Sequence, residues 1–197
     1  MMPRTSITRA DLMPIAEYGK IRHAHRKKMV EVKAHRRLLV GPYVTFHFEN
    51  YDTMWAQVHE MLYIEKGGED QIDGELAAYN PLIPQGAELT ATMLIEIEDE
   101  IKRGRILATL GHIEDKISLT FAGETVTATP EADTQRTTAE GKTSAVHFLH
   151  FAFTKDQVAK FRTAGTQVIL GINHVNYGHM AVMPEPMRAA LAADFTQ

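Results

Sequence analysis

The segment FHFENYDTMWAQVHEMLYIEKG, residues 46–67, sets Glu49, Gln57, Glu60 and Glu65 around an apolar strand-to-helix unit. A carboxylate near a core wants a cation, a metal or a proton, because an isolated buried anion is costly. Two roles fit such a group: a general base or ligand-binding acid whose pKa is set by burial, or a hydrogen-bond network that only fixes the fold. Advancing 100° per residue from Thr53 puts Met54, Trp55, Val58, Met61 and Leu62 on an arc of about 80° to 200°, the expected buried stripe. Glu65 falls inside that arc and Gln57 at its edge, while His59, Glu60 and Tyr63 fall on the other side. Glu65 also sits at the helix C-terminal end, where the dipole disfavours an anion. The expectation is an inward Glu65, paired with Arg36 or Arg37 or serving as ligand or base, and an outward Glu60.

These residues need elements to hold them. Gly41-Pro42 ends a helix, Tyr43 to Phe48 has the β-branched and aromatic content of a strand, and Asn50 or Asp52 can cap a helix over 52–66 that Gly67-Gly68 closes. A short helix follows over 70–79, then a Pro/Gly loop. Residues 88–98 alternate Leu89, Ala91, Met93, Ile95 and Ile97 with mostly polar neighbours, the period of a half-buried strand. A helix over 99–110 is expected to turn Ile101, Leu107 and Leu110 inward. ISLTFAG and ETVTATP read as a hairpin about Ala122-Gly123. After a polar loop over 131–143, SAVHFLHFAF is apolar on both faces and suits a central strand. A helix over 154–163, a strand pair in TQVILGINHV and HMAVM, and a C-terminal helix in PEPMRAALAADF complete the chain. This order specifies one α+β domain over 1–197, a largely antiparallel sheet covered by helices, with a basic helix near the N-terminus.

Charge divides the chain. Residues 1–43 carry ten Lys or Arg against three acids, net +7, and residues 44–197 carry eleven against twenty-two, net −11. Most of the positive charge lies in KIRHAHRKKMVEVKAHRR, whose Ile21, Ala24, Met29 and Val32, with Leu39 just beyond it, fall loosely on one helical face. Arg22, Arg26, Lys27, Lys28 and Lys33 would then form a cationic surface, either balancing the acidic remainder of the chain or docking an acidic partner. Nucleic acid is disfavoured, because the run lacks interleaved stacking aromatics and the whole chain is acidic.

Other chemistries find no anchor. With no cysteine there is no thiol nucleophile, no disulfide and no cofactor held through cysteine, and a reducing cytoplasmic compartment is the matching expectation. No apolar run approaches membrane-spanning length, and the N-terminal residues lack a secretory h-region. HExxH, Walker, G-x-G-x-x-G and G-x-S-x-G patterns are missing. His147 and His150 lie three apart on a strand and face opposite sides. His174 and His179 would stand opposite each other if Asn176-Tyr177 were a hairpin turn, a weak two-ligand metal site at most.

The stretches RADLMPIAEY, KAHRRLLVGPYVTFHFENYDTMWAQVHEM, LAAYNPLIPQGAELTATMLIEI, INHVNY and AALAADF resemble the bacterial family catalogued as domain of unknown function 3501, over nearly the whole chain. The family pattern falls on Arg36, Arg37, Glu49, Asn50, Asp52, Thr53, Gln57, Glu60, Met61, Glu65, Tyr79, Asn80, Glu88 and His174. His59 and His179 depart from what the family is expected to show. Members often lie beside rubrerythrin-like and iron–sulfur proteins, which implies a redox or peroxide-defence setting. Two readings result. One is an accessory protein whose basic helix docks an acidic partner of that kind. The other is an enzyme or small-ligand binder, possibly metal-dependent, with a pocket of Glu49, Gln57, Glu65 and Glu88 and an anion held by Arg36 or Arg37.

Overall fold

The computed structural model describes residues 4–131 and 136–196. Residues 132–135 of the polar loop lie outside the described residues. Fifteen principal elements alternate helix and antiparallel strand. They are α1 (Ile15–Ala34), β1 (Arg37–Val40), β2 (Val44–Glu49), α2 (Tyr51–Glu65), α3 (Glu69–Tyr79), β3 (Glu88–Ile95), α4 (Glu100–Leu107), β4 (Ile117–Phe121), β5 (Glu124–Thr127), β6 (Thr129–Pro130), β7 (Val146–Ala152), α5 (Lys155–Arg162), β8 (Val168–His174), β9 (Tyr177–Val182) and α6 (Glu185–Ala192).

The strands form two sheets rather than one, in the orders β1-β2-β3-β7-β6 and β5-β4-β8-β9. Val44, Phe46, Ala91, Met93, Leu149 and Phe151 of the first sheet share one buried cluster with Leu119, Val168, Leu170 and Ile172 of the second. Alternation along each strand sends these side chains inward, so the two sheets bury one face each against the other. The outer face of the first sheet carries α1, α2 and α3, giving an α/β/β stack. β7 pairs with β3 on one side and with the two-residue β6 on the other.

The basic helix is shorter than its sequence pattern. It stops at Ala34, and Arg37–Val40 forms a hairpin with β2. Leu38 and Val40 are buried while Arg37 and Leu39 face outward, a period of two that the helical reading overlooked. Gly41 turns the hairpin with φ +71, and a Cβ there would sit 2.6 Å from the His179 ring. The turn is pinned from the other sheet. Tyr177 Oη accepts from the Tyr43 and Val44 amides at 2.9 and 3.1 Å and donates to the Val40 carbonyl at 2.9 Å.

Phe121, Phe153, Phe161 and Phe195 interlock at one end of the sandwich, with Phe153 and Phe195 centroids 4.9 Å apart. Each such pair contributes about 0.5–1.5 kcal/mol beyond area burial. Phe195 thereby fixes its neighbour Asp194, which accepts both Arg36 guanidinium contacts at 2.8 Å in a buried site. Burial pushes the Asp194 carboxyl up and Arg36 opposes the shift; the two-point geometry is that of an ion pair. Arg36 is thus a structural residue and not the anion-binding group expected from sequence. In α4, Leu107 is buried and Leu110 just beyond it, but Ile101 is 69% exposed, against expectation.

Arg36→Ala is expected to cost about 3–5 kcal/mol, because it strands a buried carboxylate. An Arg36→Met/Asp194→Leu double variant should recover most of that loss in denaturant unfolding; equal damage from the double variant would contradict the pairing.

Candidate functional site

α2 is the central helix of the outer layer. Asn50 accepts from the Thr53 amide at 3.0 Å while Thr53 Oγ1 accepts from the Asn50 amide at 2.9 Å, a capping box that fixes where the helix starts. Glu49 lies buried just before it, accepting from Thr53 Oγ1 at 2.7 Å and Thr92 Oγ1 at 2.9 Å. Met54, Val58 and Leu62 pack with Ile7, Leu82 and Ile83, but Thr53, Ala56 and His59 are buried as well. A helix flanked by α1 and α3 above a sheet has no single buried stripe, and the one-stripe projection therefore misplaced His59, which is buried, and two carboxylates.

Glu60 is the first. Its carboxylate faces α1, where it accepts from Tyr18 Oη at 2.7 Å and from Arg22 Nε and Nη2 at 2.9 and 2.8 Å. Arg22 holds the Glu60 carboxyl below the usual carboxylate range, and burial pushes the Tyr18 phenol up. Tyr18 is fully buried among Trp55, His59 and Tyr63, and the Arg22 guanidinium lies 4.6 Å from the Tyr63 ring. His59 accepts from the Met13 amide through Nε2 at 3.0 Å, which leaves Nδ1–H to donate to the Trp55 carbonyl at 2.8 Å. Burial lowers its pKa and keeps it neutral.

Glu65 is the second. It is exposed at the helix end and, among the described residues, accepts from Gln71 Nε2 alone, at 2.7 Å. Neither arginine reaches it: Arg36 belongs to Asp194, and exposed Arg37 contacts Glu96 at 3.4 Å. Glu88 lies elsewhere, 3.2 Å from His150 Nδ1. Glu49, Gln57, Glu65 and Glu88 therefore do not share a pocket, and the carboxylate pocket of the second sequence reading falls.

What the structure forms instead is a groove of about 720 Å³ between the second half of α1 and α2, floored by β1 and β2. On α1, Tyr18, Arg22, His25 and Met29 follow one seam, since eleven residues are about three turns. Among them only Tyr18 and Met29 are buried, Tyr18 completely. Arg26 and Lys33 line one wall, Gln57, Glu60 and Met61 the other, and Arg37 and His47 the base. Neither Arg26 nor Lys33 has an ion-pair or hydrogen-bond partner among the described residues. Burial lowers the pKa of both His25 and His47, so each is neutral at pH 7. Of the sequence candidates the groove unites Gln57, Arg26, Lys33 and Arg37. Lys27 borders a second hollow, lined by Arg22, His23 and Tyr63, that shares Arg26 and Val30 with the groove, and Lys28 is exposed. Tyr18 and His47 were not singled out from sequence; Tyr18 in the seam of a polar helix is the signal that could have found it.

Histidine geometry differs from the metal reading. The β8–β9 turn is Val175-Asn176, so His174 pairs with Tyr177 and His179 with Ile172. His174 Nε2 faces the Gly111 carbonyl at 3.2 Å, and His179 lies against Tyr177. Among the described residues no group of three or more His, Asp or Glu is placed to hold a metal ion. His147 and His150 do face opposite sides. His147 is buried in the sandwich, its Nδ1 3.7 Å from Glu114 Oε2, while His150 bridges Glu88 and Glu131 outside it.

An α/β/β protein with a cationic, half-apolar groove against its outer helices is the class these features define. The chain belongs to the family described as a protein of unknown function, DUF3501, which matches residues 6–195. It is 37% identical to a protein of unknown function from Burkholderia pseudomallei K96243 whose crystal structure has been solved at 1.90 Å resolution. The match covers 96% of this chain and 99% of that one, with a TM-score of 0.89. A search of the curated proteins finds no significant match. No helix among the described residues is long and apolar enough to cross a membrane.

Two outcomes test this geometry. Tyr18→Phe removes a donor from half-buried Glu60 and should cost about 1–3 kcal/mol in urea unfolding, whereas Glu65→Gln should stay within about 0.5 kcal/mol of the parent. His150 is raised above its ordinary 6.5 mainly by the Glu88 hydrogen bond. Its stabilising contribution is therefore complete below pH 6.5 and is lost as pH rises through the raised value. His150→Gln should destabilise by about 1 kcal/mol at pH 6 and by much less at pH 9, read from paired unfolding curves.

Proposed function

We propose that the protein is an accessory component of a redox system that docks an acidic partner on α1. One observation carries this reading: Arg26, Lys27, Lys28 and Lys33 are four cations on little more than two turns of exposed helix, and none makes a hydrogen bond or ion-pair contact with an acid among the described residues. The bland alternative requires the chain's own acids to neutralise that surface. They contact Lys20 through Glu17 and Arg22 through Glu60 but none of these four, and Arg26 feels Glu60 only at a distance. An array of unpaired cations attracts acidic surfaces over about a Debye length and speeds their encounter. The family's frequent proximity to rubrerythrin-like and iron–sulfur proteins supports a partner of that kind.

Charge reversal at Arg26, Lys27 and Lys28 should abolish co-purification with a co-expressed rubrerythrin-like partner and leave the unfolding midpoint within about 0.5 kcal/mol of the parent. The parent complex should dissociate as salt rises from 0.05 to about 0.5 M. A complex indifferent to both treatments would contradict electrostatic docking.

A further inference from the structure

We propose that the α1/α2 groove is a binding site for a small organic anion with an apolar body, a carboxylate or similar acid bearing a chain or ring. This goes beyond partner docking, which shares Arg26 and Lys33 with the groove but needs Lys27 and Lys28 outside it.

The volume of about 720 Å³ lies within the range of small-molecule sites, roughly 300–1,000 Å³. Its polarity is one-sided. Among the described residues Arg26 and Lys33 make no hydrogen bond or ion pair, Arg26 acting on Glu60 only at a distance, and Arg37 stands at the base with a 3.4 Å contact to Glu96. The single lining acid is Glu60. Both its oxygens are occupied, Oε1 by Tyr18 and Arg22 Nε, Oε2 by Arg22 Nη2. Glu60 is thus neutralised by Arg22, and the charge left to the groove is positive.

The walls are apolar. Met29 and Met61 line them, and Val30 and Ile64 are 70% and 61% exposed on the two facing helices. Large aliphatic side chains left this open on both sides of one hollow gain by covering a ligand's apolar body, at about 25 cal/mol per Å² removed from water. The cations require an anion, since a neutral ligand would desolvate Arg26 and Lys33 without compensation. A bare inorganic anion would leave the walls wet. Only a ligand with both features satisfies both parts. Neutral His47 at the base adds one donor and one acceptor, enough to orient a head group held by Arg37, the side chain opposite it across the β1–β2 register.

The test is calorimetric titration of the full-length chain with decanoate, 1-decanol and inorganic phosphate. Decanoate should bind with one-to-one stoichiometry, and decanol and phosphate at least tenfold more weakly. An Arg26→Gln/Lys33→Gln variant and a Met61→Gln variant, each shown by circular dichroism to keep the parent fold, should each weaken decanoate about tenfold. Lys27→Gln/Lys28→Gln, which removes charge outside the groove without reversing it, should change decanoate affinity less than about twofold, which separates this site from the partner surface. No saturable decanoate binding, equal binding of phosphate or decanol, or affinity indifferent to the groove variants would overturn the proposal. So would displacement of decanoate by a short acidic peptide that binds the groove more tightly.

Discussion

The contact of Tyr18 with Glu60, completed by Arg22, is the interaction on which the outer layer depends. α1 is polar along most of its length and buries only Tyr18 and Met29. Its helicity can come from good helix formers such as Lys, Arg, Ala and Glu, but its position cannot, because a helix with so thin an apolar seam has little burial to hold it. One buried phenol inside an aromatic nest, donating to a carboxylate that a guanidinium neutralises, supplies the missing specificity. Arg22 and His25 fill the next two turns with half-buried polar groups in place of a closing aliphatic pair. The groove follows from that substitution. A Leu or Ile seam would have closed it.

The charge asymmetry of the sequence survives folding. α1 and α3 flank α2 on opposite sides. α1 brings unpaired Arg26, Lys27, Lys28 and Lys33, and α3 brings Glu69, Asp70, Asp73 and Glu75. Arg9 bridges to Glu69 and Asp73 and so serves the acidic flank. The intervening helix keeps the acids of α3 away from α1, so Arg26, Lys27, Lys28 and Lys33 form no ion pair among the described residues, and Arg26 only lends its field to Glu60, which Arg22 already holds. Segregation of this kind costs some self-repulsion within each patch, and it leaves a field directed at whatever approaches α1.

Much of the fold was legible in sequence for local reasons. The cap at Asn50, the alternation over Glu88–Ile95 and the Ala122-Gly123 turn, with φ 46 and 78, are short-range signals that the structure keeps. Partition into two sheets was not legible, because β3 with β7 and β4 with β8 pair across long separations that no local pattern encodes. The histidine pair failed by one residue. Moving the turn from Asn176-Tyr177 to Val175-Asn176 places His174 opposite Tyr177 instead of His179. In a structure of period two, a one-residue error in a turn changes every cross-strand neighbour. Glu60 and Glu65 were misplaced because a helical projection knows angles but not what surrounds each angle, and Glu65 lies at a helix end where α2 runs out of neighbours.

Arg36 and Arg37 show how finely the site is specified. They are adjacent and of one type, yet Arg36 is buried against Asp194 and Arg37 lines the groove. The cause is the phase of β1. Alternation places Arg36 with Leu38 and Val40 on the inner side and Arg37 with Leu39 on the outer, and the register with β2 sets Arg37 beside His47. That phase is fixed from both ends. At one end the Phe48 amide donates to the Arg36 carbonyl at 2.8 Å, and at the other Tyr177 holds the turn around Gly41. A sandwich core, a C-terminal carboxylate and a groove on the opposite face are thus coupled through the direction in which two neighbouring side chains leave one strand. A shift of the α1–β1 junction by one residue breaks one site or the other: in one direction Arg37 enters the core at the Leu38 position with no carboxylate and Asp194 is left facing His35, and in the other Leu38 replaces Arg37 and the groove loses the cation at its base.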